Sequence, residues 1–150
     1  MNSFENNILS RCCHLVYHQL LTGRADTALA SVERMTTLIR YMADTASSRT
    51  TLGEELAIVR TVFELYQADG SDGAFSVELG NAEPRTPVAR TTLVYEVCQY
   101  GMELLHSGVT LHSLRLAQSG REITYTFLDD GGTAYGGMLD EEGASAYGEG

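Results

Sequence analysis

Apolar residues recur at helical spacing near the start of the chain: Ile8, Leu9, Cys12, Cys13, Val16 and Leu20 fall on one stripe between about Phe4 and Leu21, and Thr22-Gly23 supplies a stop. A second run, Ala28, Val32, Met35, Ile39, Met42 and Ala46, alternates steps of four and three. That is the heptad seam of helices packed at a shallow angle. The connection between the two helices is so short that they are expected to fold back as an antiparallel hairpin. Two helices alone bury too little apolar surface, and a dimeric four-helix bundle is the natural completion.

Ser47-Ser48-Arg49-Thr50 interrupts the pattern, and Thr51-Leu52-Gly53-Glu54 has the form of a capping box that opens a third helix with Leu52, Leu56, Val59, Phe63 and Tyr66 on one face. After the turn-rich Asp69-Gly70-Ser71-Asp72-Gly73, Phe75, Val77 and Leu79 alternate with Ser76 and Glu78 as in a half-buried strand, and Pro84 and Pro87 close that connection. A fourth helix is expected from about Val88 to His106, with Val94, Val97, Cys98, Gly101 and Leu105 inward and Ser107-Gly108 ending it. Two strands follow, about Thr110 to Ala117 and Glu122 to Phe127, joined by a hairpin turn at Gln118-Ser119-Gly120. The last twenty residues hold seven glycines and several acids, which predicts disorder or an unfinished domain there. The whole reads as α+β: a helical hairpin over 1–48, an α/β unit over 49–130 and an acidic, glycine-rich tail over 131–150.

Composition narrows the partners. An apolar content of 43% suffices for a sizeable core, and no apolar run approaches the roughly 20 residues needed to span a bilayer. The polar opening lacks the basic start of a secretory signal, so a cytoplasmic location is expected. A formal charge of −10 disfavours nucleic acid and anionic membranes, which are held mainly by clustered cations. All ten basic residues are arginine, which excludes a lysine nucleophile and P-loop chemistry. The three cysteines read as reduced, small apolar residues, because neighbouring Cys12 and Cys13 diverge too far on a helix for an easy bridge.

His14 is the first candidate for chemistry. Its neighbours three and four positions away are Ser10, Arg11, Tyr17 and His18, so the imidazole is expected to face solvent opposite the apolar stripe. It reads either as a solvated surface histidine or as a nucleophile for phosphoryl transfer, with Arg11 available to the incoming phosphate and His18 in support. A metal site built on His14, His18, Cys12 and Cys13 is disfavoured, since no carboxylate completes the set on the same face. Asp129-Asp130-Gly131-Gly132 reads on its own as an acidic turn.

Two stretches carry a family resemblance. Leu38-Ile39-Arg40-Tyr41, then Leu52-Gly53-Glu54-Glu55-Leu56 and the helix through Tyr66, is similar to the segment after the phosphoacceptor helix of LytS-type sensor histidine kinases. That family's helix carries Asn-Pro-His-Phe-Leu-Phe-Asn; the matching Cys12-Cys13-His14-Leu15-Val16-Tyr17-His18 keeps the histidine and the hydrophobic character without the Asn, Pro and second Asn. The resemblance implies that His14 accepts a phosphoryl group. His106-Ser107-Gly108-Val109-Thr110, with Leu114, Leu116 and Phe127-Leu128-Asp129-Asp130-Gly131-Gly132, resembles the same kinases' ATP-binding domain, between its asparagine box and the Asp-x-Gly box that holds adenine. It implies an α/β sandwich of the histidine-kinase ATPase type, truncated here, with Asp129 and Gly131 as a vestigial nucleotide site.

The departures point away from ATP. The family holds Mg²⁺ through an asparagine on the fourth helix, a hard oxygen ligand. The matching position is Glu96, Val97 or Met102, and no asparagine follows Asn81. Gly136-Gly137 and Gly143 are not followed by the helical pattern of a phosphate-binding lid. The expectation is a chain with no cofactor, its ATP and Mg²⁺ binding lost. Its leading function is ATP-independent histidine phosphotransfer between His14 and response-regulator aspartates, similar in layout to the sporulation-type phosphotransferase. The alternative is a non-enzymatic dimeric regulator that binds a kinase or receiver domain, and a truncated kinase catalytic region comes third.

Overall fold

Helix α1 (Ser3–Leu21) and helix α2 (Ala25–Ala43) open the chain in a computed structural model that describes residues 3–44, 48–67 and 75–139. Gly23, at φ +76°, ends α1: its amide reaches Leu20 O and the Arg24 amide reaches Gln19 O at 2.8 Å, the paired bonds of a Schellman turn that a left-handed residue permits. The buried face of α1 is Ile8, Cys12 and Gln19, with Leu15 half-buried; that of α2 is Ala28, Ser31 and Leu38, with Met35 and Met42 half-buried. Gln19 is the surprise. Its carboxamide oxygen accepts from Ser31 Oγ at 2.9 Å, so two buried polar groups satisfy each other between the helices.

Strand β1 (Arg49–Thr51) leads directly into helix α3 (Leu52–Gln67), and the Glu54 amide bonds Thr51 Oγ1 at 3.3 Å, as the capping box predicts. The Glu54 carboxylate takes the hydroxyl of Thr50 instead of the cap amide. Strands β2 (Ser76–Glu78) and β3 (Pro87–Ala89) precede helix α4 (Thr92–His106), which a second Schellman turn ends at Gly108. Strands β4 (Leu111–Ser119), β5 (Glu122–Asp129) and β6 (Ala134–Leu139) complete the described chain.

Among the described residues there are thus four helices and two sheets, a mixed α/β arrangement. β1 and β3 form a two-stranded antiparallel ribbon. The larger sheet runs β2-β4-β5-β6, with β2 parallel to β4 and the other pairs antiparallel. Two expectations are corrected here. Val88 does not open the fourth helix but pairs opposite Thr50 in β3, and residues 134–139, expected to be disordered, form β6 alongside β5. The turn at 69–73, Ala46, Ser47 and the tail beyond 139 lie outside the described residues.

One core joins these layers. Leu52, Leu56, Val59 and Phe63 of α3 and Val94, Val97 and Cys98 of α4 pack over Leu114, Leu116, Ile123 and Phe127 of the sheet, and Ile8, Cys12 and Leu38 extend the same cluster into α1 and α2. Each such side chain, fully buried, stabilises the fold by about 1.5–3 kcal/mol. No described helix is long and apolar enough to cross a membrane.

Candidate functional site

His14 and His18 lie on the solvent side of α1, as periodicity predicts, with Arg11 one turn earlier. Arg11 departs from its expected role. Its guanidinium stacks 4.4 Å above the Tyr66 ring of α3, turned toward the body of the molecule. Cys12 and Cys13 do not share a face: Cys12 is buried and Cys13 exposed. Burial, and then the neighbouring Cys13, push the Cys12 thiol up to about 11, so it stays protonated and unreactive at neutral pH.

Tyr41 and Glu55 meet at the joint between α2, α3 and α4. Glu55 of α3 is buried, and its carboxylate accepts from the Tyr41 hydroxyl of α2 and from the α4 amides of Leu93 at 3.2 Å and Val94 at 3.4 Å. It therefore caps a helix other than its own, satisfying amides that no cap side chain of α4 reaches. Arg90 closes the joint from outside: its guanidinium lies 3.9 Å from the Tyr41 ring centroid, donates to Tyr41 O at 3.1 Å and faces Asp44 Oδ2 at 3.5 Å. Burial pushes the Glu55 carboxyl above its ordinary value, with the Tyr41 hydroxyl and the α4 amides pulling it back. Thr91, just before α4, holds a left-handed φ of +69°, strain that this joint sustains.

Asp129 closes the turn between β5 and β6. Its Oδ1 accepts the amides of Gly131 at 2.9 Å and Thr133 at 2.8 Å, and its Oδ2 accepts the Tyr135 hydroxyl at 3.2 Å. The carboxylate is thereby engaged within its own hairpin, an Asx-type turn.

A cleft of about 490 Å³ opens beside α4. Thr92, Glu96, Gln99 and Glu103 form a polar ridge along the helix, Tyr95 and Tyr100 flank it, and Tyr125 of β5 supplies the floor. None of His14, Arg11, His18, Asp129 or Gly131 lines it. Glu96 faces the cleft, while Val97 and Met102 are buried. The lining carries two carboxylates, Glu96 and Glu103. Tyr95 donates to Glu5 Oε1 at 2.6 Å, tying the start of α1 to the rim. His14 lies nine residues further along α1, about 13 Å at the helical rise.

Two groups of expected residues therefore stay apart: His14, Arg11 and His18 on α1, and Asp129 and Gly131 in the β5–β6 turn. The tyrosine-lined cleft and the Glu55 joint were missed from sequence. A polar stripe at Thr92, Glu96, Gln99 and Glu103 was there to be read, since steps of four, three and four mark one helix face. Glu55 gave no such signal, because its partners lie 14 and 38 residues away.

These features define a mixed α/β protein with an exposed-histidine helix on one part of its surface and an acidic, aromatic cleft on another. No protein-family model matches the chain, and no curated protein matches it. Among the described residues no group of three or more His, Cys, Asp or Glu side chains could hold a metal ion.

Proposed function

We propose that this chain is a phosphorelay component related to the two-component histidine kinases, a histidine phosphotransferase that works without ATP. The observation that carries the reading is the exposure of His14 on the outer side of α1, clear of every packing contact of the core. A receiver domain would bring an aspartyl phosphate and its Mg²⁺. The P–O bond of the acyl phosphate breaks, a P–N bond forms to the imidazole, the aspartate leaves as carboxylate and the imidazole proton passes to solvent. His18 sits one turn further along α1, where it can meet the phosphoryl oxygens.

The active form is a homodimer in which α1 and α2, as an antiparallel hairpin, pair with their counterparts in a four-helix bundle. Beside the face turned to the core, a second flank of α1 and α2 leaves Tyr17, Leu20, Leu21, Leu29 and Ile39 exposed. Two helices of 19 residues, each about 28 Å long, offer a face commensurate with the roughly 800 Å² per partner of a standard interface. The proposed setting is cytoplasmic, with receiver domains or histidine kinases as partners.

Incubation with receiver domains labelled on their phosphoryl group tests this. Label is expected on the native protein and absent from His14→Ala; no transfer, or equal label on both, overturns the reading. A second reading, a non-enzymatic regulator that docks a kinase or receiver through the hairpin, is favoured by the stacking of Arg11 on Tyr66, which turns the nearest cation away from His14. Unchanged signalling by His14→Ala in cells would decide for it.

A further inference from the structure

His14 and His18 share one face of α1. Four residues apart on an α-helix, they stand about 40° apart around the axis and about 6 Å along it. Both side chains are exposed, and among the described residues neither imidazole has a hydrogen-bond or ion-pair partner. A neutral imidazole left unengaged keeps a nitrogen lone pair for a ligand. Two of them at this spacing can meet on one metal ion, as histidines four apart on a helix do in metalloprotease motifs.

The surroundings supply a second, independent indication. Arg11, one turn before His14, carries the charge that would repel an ion there, and it is drawn off: its guanidinium stacks 4.4 Å above the Tyr66 ring, toward the body of the molecule. The chain as a whole carries −10, which favours the approach of a cation. Exposed Cys13 stands about 100° around the helix from His14 and about 140° from His18, so its thiol is no part of the set.

Ligand type selects the metal. Imidazole nitrogen suits Zn²⁺, Ni²⁺ and Cu²⁺, whereas Mg²⁺ and Ca²⁺ demand oxygen. Zinc takes imidazole nitrogen at about 2.0–2.1 Å, and two histidines supply half of its tetrahedral set, leaving the rest to water. No third His, Cys, Asp or Glu gathers with them among the described residues, so the site is open rather than a closed structural one.

We propose that His14 and His18 form an open two-histidine site on the outer face of α1 for a transition-metal dication such as Zn²⁺. The site asks only that both imidazoles be free, and it stands whether or not His14 takes a phosphoryl group.

Calorimetry on the full, untagged chain tests this with Zn²⁺, Ni²⁺ and Mg²⁺ as probes. Saturable 1:1 binding of Zn²⁺ and Ni²⁺ is expected, at least a hundredfold tighter than Mg²⁺. His14→Ala and His18→Ala should each weaken Zn²⁺ at least tenfold, because either change turns a chelate into a single ligand. Both side chains are exposed, so both variants should keep the native circular dichroism. Cys13→Ala and His106→Ala/His112→Ala, which remove an exposed thiol and two exposed histidines elsewhere, should leave binding within twofold. Failure of Zn²⁺ and Ni²⁺ to bind, equal binding of Mg²⁺, undiminished binding by either His14→Ala or His18→Ala, or an equal loss in the control variants would overturn the proposal.

Discussion

Gly101 sits where no side chain fits: a Cβ there would come within 2.5 Å of Phe63 Cζ and 3.0 Å of Phe127 Cζ. Those rings belong to an aromatic stack in which Phe63 and Phe75 lie 4.6 Å apart and Phe127 packs against both, so neither can move cheaply. Gly101→Ala is expected to destabilise the fold by roughly 1–3 kcal/mol, read as a lower urea midpoint at unchanged slope. The inward placement of Gly101 was legible from its spacing with Val97 and Cys98. Other residues misled. Cys13 and Leu20 belong to the apolar stripe by type, yet Cys13 is exposed and Leu20 is 57% exposed. Adjacent residues on a helix point about 100° apart, so Cys12 and Cys13 cannot both face one core. Gln19 takes the place Leu20 was expected to hold, because Ser31 satisfies it, and a hydrogen bond across two helices leaves no mark in periodicity.

Between elements, the Glu55 joint is the most consequential feature that the sequence hid. The start of α4 depends on a carboxylate from α3, and that carboxylate is fixed by a tyrosine from α2. In the unfolded chain Glu55 titrates near its ordinary 4.5, while burial raises it in the fold. The folded state therefore holds the proton more tightly. The stabilisation that comes from this preference is complete below about pH 4.5 and is lost as the pH rises through the raised folded value. Glu55→Gln removes the titration and keeps an acceptor for the Leu93 amide, so the stability of the native protein relative to this variant should fall as the pH rises above about 4.5. Denaturant unfolding of both proteins across that window checks it; a gap that is flat or widens with pH contradicts the account. The helices themselves were readable, since their stops at Gly23 and Gly108 and the capping box at Thr51 are local. The ribbon of β1 and β3 was not, because three-residue strands show no period and pair residues 38 apart, as Thr50 with Val88. β6 escaped notice because its pairing with β5, with Gly137 opposite Tyr125, overrides the low strand propensity of glycine.

At the scale of the molecule, the heptad on α2 resolves into two faces. Ala28, Met35 and Met42 turn inward with Ser31 and Leu38, while Ile39 stays on the exposed flank with Leu29 and, on α1, Leu20. If that flank is the homodimer interface, Leu20→Glu/Ile39→Glu should convert a dimer to a monomer in light scattering. Its unfolding midpoint measured at low concentration should move little, because neither side chain is buried within the chain. A native protein that is already monomeric at tens of micromolar would rule out the bundle. The mixed α/β class was legible from the order of patterns; the division of one seam between core and surface was not, since periodicity marks a stripe as apolar without saying what covers it. The larger sheet also orders events in time. β4 and β5 meet through a tight turn and can zip as soon as both exist, whereas β2, only three residues long, must wait for a parallel partner more than thirty residues downstream. During synthesis α3 therefore leaves the ribosome with its inner face uncovered, and the molecule closes only when its last strands arrive.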